Sequence, residues 1–151
     1  MQGIQASLKA SPSVKPWACL NQKKTDEVER LGDIDVLACS VDGTIVWVCE
    51  AKDLKLCRTL GEAALRLSDY RGQIRNNKPD KLLRHVRRVE YLRAHAALLG
   101  KRLRLVGTPA IHGIIIVNAP QPMEQLAYQY VHDSAVVMLD EVESVPWDTG
   151  W

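Results

Sequence analysis

Two β-branched, apolar runs, residues 34–40 and 44–51, meet at Asp42-Gly43, and this pairing constrains the chain more than any other feature. Asp-Gly between such runs is the signature of a two-residue type I′ hairpin, because both central positions of that turn need positive φ. A turn centred there fixes the register, pairing Val41 with Thr44, Leu37 with Val48 and Asp35 with Glu50. Side chains alternate along a strand, so Val36, Ala38, Ile45, Trp47 and Cys49 share one face, and Leu37, Cys39, Val46 and Val48 the other. Both faces are apolar, so the pair belongs inside a sheet covered on both sides by helices.

The rest of the chain supplies those helices and further strands. Leu60, Ala64, Leu67 and Tyr70 recur at helical spacing over residues 58–71, after which Gly72 and Asn76-Asn77 break the pattern. Pro79 suits the first turn of a second helix whose stripe, Leu82, Leu83, Val86, Val89, Leu92, Ala96 and Leu99, runs to Gly100, with Arg84, Arg87, Arg88 and Arg93 mostly outside it. Residues 112–118 and 135–139 read as buried strands, with a short helix over 123–130 between them. The expected fold is α/β, a central mixed β-sheet flanked by helices. Residues 1–30 form an N-terminal extension with a possible first strand at 14–20, residues 31–145 the core domain, and residues 146–151 a tail bearing Trp147 and Trp151.

Composition narrows the classes. A chain of 151 residues, 46% apolar and 25% charged, matches one globular domain large enough to fold without disulfides or a structural metal. No apolar run approaches the roughly 18 residues of a membrane span, and residues 1–20 lack a secretory apolar core, so a cytoplasmic protein is expected. Cys19, Cys39, Cys49 and Cys57 lack the close pairs that grip zinc and read as reduced, core-filling thiols. His85, His95, His112 and His132 have neither metal-ligand spacing nor an evident nucleophile partner and read as structural.

Charge is strongly segregated. Residues 71–104 carry eleven basic side chains against Asp80 and Glu90, whereas residues 119–151 carry six acids and no Lys or Arg. A basic block on an otherwise neutral or acidic chain points to a polyanionic partner. Arg75, Lys78, Arg84, Arg87 and Arg88 are the candidate phosphate contacts, weighed against a merely solvated helix face.

The hairpin register gives the chemistry. Asp35 and Glu50 oppose one another on an apolar sheet, and Lys52 points to the same face. Carboxylates that close repel unless a cation or a shared proton intervenes, and two hard oxygens with a backbone carbonyl and waters suit Mg²⁺ or Mn²⁺. Asp33 shares that face, and the same register sets it opposite Lys52, so it reads first as an ion-pair partner and second as a ligand.

The run Gly32-Asp33-Ile34-Asp35-Val36-Leu37-Ala38, the hairpin, and Val46-Trp47-Val48-Cys49-Glu50-Ala51-Lys52 resemble the core of the PD-(D/E)XK nucleases, the restriction-endonuclease-like superfamily. The helix, helix, strand, short helix, strand order that follows fits the rear half of that superfamily's αβββαβ core. The resemblance implies a Mg²⁺-dependent nuclease, with Mn²⁺ able to substitute, that hydrolyses DNA phosphodiesters; RNA stays open. It assigns metal binding to Asp35, Glu50 and the Ala51 carbonyl, and orientation or activation of the attacking water to Lys52. Tyr70 and Gln73 fall where some members carry polar side chains near the substrate. The superfamily's opening helix often bears a Glu; here residues 25–30, with Glu27 and Glu29, make at most one turn, so that helix is missing or atypical. A homodimer or further domains of a longer protein are compatible partners. A catalytically inactive nucleic-acid-binding or assembly module on the same fold is the alternative.

Overall fold

The computed structural model describes residues 31–122 and 134–145. Expectations for residues 1–30, 123–133 and 146–151, including Glu29, Cys19, the short helix, His132 and the tail tryptophans, lie outside the described residues.

Strands β1 (Val36–Cys39) and β2 (Ile45–Lys52) form the expected antiparallel hairpin, with Val36 opposite Cys49 and Leu37 opposite Val48. The turn differs. Gly43 N–H donates to the Ser40 carbonyl (3.0 Å) and Gly43 alone takes positive φ (74°), so the loop has four residues, 41–44, rather than two. Both loops share the same centre, which is why the register survives. Asp42 fastens the loop, its Oδ1 accepting from the Ser40 hydroxyl (2.7 Å), the Thr44 N–H (3.0 Å) and the Thr44 hydroxyl (2.8 Å).

Beyond β2 the chain crosses through three helices and a small hairpin and returns as β5 (Ala110–Val117), parallel to β2, with β6 (Ser134–Met138) parallel to β5. The mixed sheet therefore has the order β1-β2-β5-β6. Helix α1 (Leu60–Ser68) opens with a reciprocal cap: Thr59 Oγ1 accepts from Glu62 N–H (3.1 Å) and Glu62 Oε2 from Arg58 N–H (2.6 Å). No α1 residue is buried, and Leu60 and Leu65 are exposed, so the expected apolar stripe reaches the core only through half-buried Leu67 and through Tyr70 beyond the helix end.

The type I′ geometry expected at Asp42-Gly43 belongs instead to Asn76-Asn77, whose φ values are 50° and 59°, between β3 (Ile74–Arg75) and β4 (Lys78–Pro79). Pro79 ends β4 rather than opening a helix. Asp80 is the N-cap of α2 (Lys81–Ala94), its Oδ1 accepting from Leu83 N–H (2.8 Å). The expected long helix breaks at His95, and α3 (Ala96–Leu103) follows.

Helix α2 covers one face of the sheet. Val89, Leu92 and Leu99 pack with Val46, Val48 and Ile111, and Leu82 and Tyr70 with Ile115, Val117 and Val136. On the other face Ile45, Trp47, Cys49, Ile114, Ala135 and Val137 pack with Val142 and Val145, contributed by the 3-10 helix Leu139–Ser144 and the residue after it. Gly113 is the point of closest approach on the α2 face: a Cβ there would overlap Ser134 Oγ and stand 2.7 Å from Val89 Cγ2 and 2.9 Å from His85 Nε2. No helix among the described residues is long and apolar enough to cross a membrane.

Candidate active site

Even-numbered residues of β2 face α2, so the apolar pair Val46 and Val48 is followed on the same face by Glu50 and Lys52 at the strand's end. Asp35, just before β1, lies beside the end of β2. Its Oδ2 accepts a hydrogen bond from Ala51 N–H (2.9 Å), which anchors one carboxylate to the backbone beside the other.

Glu50 is only 9% exposed, and both its oxygens are engaged. The Lys52 ammonium pairs with Oε1 and the Arg88 guanidinium with Oε2. Arg88 also donates through Nε to the Leu31 carbonyl (3.0 Å), tying α2 to the segment that leads into Asp35. Burial pushes the Glu50 carboxyl upward, but the Arg88 and Lys52 charges and their hydrogen bonds outweigh it and hold the group below its ordinary value.

Two further polar groups stand behind this centre. Tyr70 is 1% exposed and its hydroxyl finds no hydrogen-bond partner among the described residues; burial first, then the nearby Glu50 and Asp69 charges, push it up to about 12 against the opposing pull of Arg66. His85 is fully buried with neither ring nitrogen partnered among the described residues, and burial together with Arg88 lowers it to about 4, so it is neutral near pH 7.

The other expected residues divide by location. Gln73 is exposed, and its backbone N–H, not its side chain, is fixed, donating to Asp80 Oδ2 (2.8 Å). Asp33 is half-buried on the approach to β1. Arg75, Lys78 and Arg84 are exposed and line a common cleft, and Arg87 is exposed on α2. Arg88 corrects the reading of a solvent-facing phosphate contact: it is 3% exposed and spent on Glu50. The signal for this lay in the sequence, since Arg88 falls between His85 and Leu92 on the buried stripe of α2, and a carboxylate inside an apolar strand needs a cation. His95 Nδ1 lies 2.8 Å from the Tyr91 carbonyl and the His112 ring tilts against Trp47 at 5.1 Å, both structural placements. Cys39, Cys49 and Cys57 are free thiols.

The donor set can be tested against a divalent ion. Among the described residues no three His, Cys, Asp or Glu side chains cluster. Asp35 and Glu50 are hard oxygen donors at one end of the sheet, and Asp35 Oδ1 is not spent on Ala51. Lys52, 31% exposed, is the partner able to leave Glu50 Oε1, whereas Arg88 is locked in the core. The residues therefore fit one weakly competing ion rather than a closed structural site.

A family model for the anti-phage protein Upx-like matches residues 10–142. No curated protein and no solved structure matches the chain.

Proposed function

This chain belongs to the Upx-like family of anti-phage proteins, and from that premise we propose that it is a metal-dependent nuclease that hydrolyses DNA phosphodiester bonds. The observation that carries this reading is the Glu50–Lys52 pair at the end of β2, with Asp35 hydrogen-bonded to the backbone N–H of Ala51 between them in sequence. Such a centre would act on the invading nucleic acid itself, a direct route to phage defence. Asp35 and Glu50 would hold Mg²⁺ or Mn²⁺, which when bound polarises the phosphate and acidifies a coordinated water. Lys52, released from Glu50, orients the attacking water or faces the developing charge on the phosphate. Arg88 keeps the Glu50 carboxylate ionised and fixed in direction. Arg75, Lys78 and Arg84 supply phosphate contacts alongside.

A second reading has its own observation. Both oxygens of Glu50 are already neutralised by cations from the chain, which is also how a centre without a metal would hold a buried carboxylate. In that case the protein is a non-catalytic nucleic-acid-binding module. Purified protein incubated with plasmid, linear duplex, single-stranded DNA and RNA, in Mg²⁺, Mn²⁺ or EDTA, separates the two. The nuclease reading requires cleavage of DNA that EDTA abolishes; binding without cleavage in either metal favours the module.

A further inference from the structure

The C-terminal end of α1, the β3–β4 hairpin and the first turn of α2 enclose a cleft of about 480 Å³. Its acids are spent. Asp80 accepts from the backbone N–H groups of Gln73 and Leu83, and Asp69 pairs with Lys81 (3.0 Å). Three of its four cations are not: among the described residues Lys78 and Arg84 make no ion pair, and Arg75 is held in place by the Ser68 hydroxyl (2.6 Å). A cleft with preset, unmatched positive charge attracts an anion.

One residue of the cleft, Arg84, reaches the segment that leads into Asp35. Arg84 Cδ and Arg88 Nη2 lie 3.8 Å and 3.7 Å from one point, the position a side chain would take at Gly32, and Arg88 is the residue that grips Glu50.

Size decides which polyanion fits. A volume of about 480 Å³ falls in the range, about 300–1,000 Å³, that encloses one small ligand. A B-form duplex, its bases paired and stacked inside, can offer the cleft only backbone phosphates from outside, whereas one unpaired nucleotide can enter with its phosphate. We propose that this cleft is the subsite for an unpaired strand, seating a nucleotide phosphate on Lys78 and Arg84, so that the substrate of the nuclease centre is single-stranded DNA or the single-stranded part of a DNA end. The proposal rests on the nuclease reading for its biological sense but not for its test. The cleft lining lacks aromatic side chains, so recognition is through phosphates and guanidinium planes and is independent of sequence.

Fluorescence anisotropy of the full chain in EDTA tests it, using an end-labelled single strand of about 12 nucleotides and a blunt duplex of the same length. The single strand should bind at least about tenfold more tightly than the duplex. The double variant Lys78→Ala, Arg84→Ala should lose about tenfold or more in single-strand affinity and flatten the log–log salt slope by about 1.4, the value for two phosphate contacts on a single strand. Both side chains are exposed, so the variant should keep the wild-type melting temperature; Lys101→Ala with Arg102→Ala on α3 serves as a charge-matched control that should bind normally. Equal or tighter binding of the blunt duplex, or undiminished single-strand binding by the double variant, overturns the site. A chain that binds the single strand through Lys78 and Arg84 yet cleaves nothing in Mg²⁺ or Mn²⁺ upholds the site and rejects the nuclease reading. Metal-dependent cleavage that is unchanged in the double variant does the reverse.

Discussion

Arg88 of α2 and Glu50 of β2, 38 residues apart in sequence, meet as a buried ion pair that fastens the main helix to the sheet at the candidate active site. Fold stability and site geometry are thereby coupled through one guanidinium.

Removing that guanidinium should be costly. Arg88→Ala leaves Glu50 buried with Lys52 as its remaining cation and frees the Leu31 carbonyl, so urea unfolding should show a loss on the order of 3 kcal/mol, the scale for breaking a buried pair. Replacing both partners together, Arg88→Met with Glu50→Gln, should cost clearly less than the sum of the single changes, because no charge is then stranded.

Acid stability should fall in two separable windows. His85 is held at about 4 against an ordinary 6.5, a lowered value, so its contribution is fully present above pH 6.5 and is lost as the pH falls towards 4, by roughly 3 kcal/mol. Glu50 is also lowered, so its contribution is present above its ordinary 4.5 and disappears at still lower pH. Urea midpoints measured from pH 3 to 8 should lose the upper window in His85→Leu and the lower one in Glu50→Gln. At pH 7 His85→Leu should be neutral or stabilising, since both ring nitrogens are unpartnered among the described residues.

Gly113→Ala tests the helix–sheet seam. The new methyl meets Ser134, Val89 and His85 at once, so it should destabilise by about 1–3 kcal/mol. Lifting α2 also draws Arg88 from Glu50, so weakened Mn²⁺ or nucleic-acid affinity should accompany the lower melting temperature.

Much of this arrangement was legible in the sequence, and the failures have physical causes. The register of β1 against β2, from Val36 opposite Cys49 onward, was readable because two- and four-residue loops centred on Asp42-Gly43 pair the same residues; the turn type was not, because Asp-Gly serves either. Arg88 was misjudged by its charge: its place on the buried stripe was readable, but the carboxylate it reaches, on another element, is not given by local pattern. The cleft was invisible for the same reason, since Ser68, Arg75 and Arg84 converge only when the Asn76-Asn77 turn folds β3 against β4.

Lys52 and Glu50 should fail differently. Glu50→Gln removes a ligand and should weaken Mn²⁺ binding and turnover together. Lys52→Met removes the cation that sits on Glu50 Oε1, so calorimetry should show Mn²⁺ affinity held or raised while single-turnover cleavage slows by about 10²–10⁴. Loss of metal in Lys52→Met as complete as in Glu50→Gln would remove Lys52 from the chemical step.

Single-turnover cleavage of single-stranded DNA by wild type and Asp35→Asn in Mn²⁺ is the most direct measurement. Asparagine keeps an oxygen to accept from the Ala51 N–H, so the fold and melting temperature should be preserved while the metal-binding charge is lost. The expected result is EDTA-sensitive cleavage by wild type and a loss of about 10²–10⁴ in rate in the variant. Cleavage by Asp35→Asn at the wild-type rate, or no cleavage by wild type in either Mg²⁺ or Mn²⁺, would contradict a metal-dependent nuclease centre at Asp35 and Glu50.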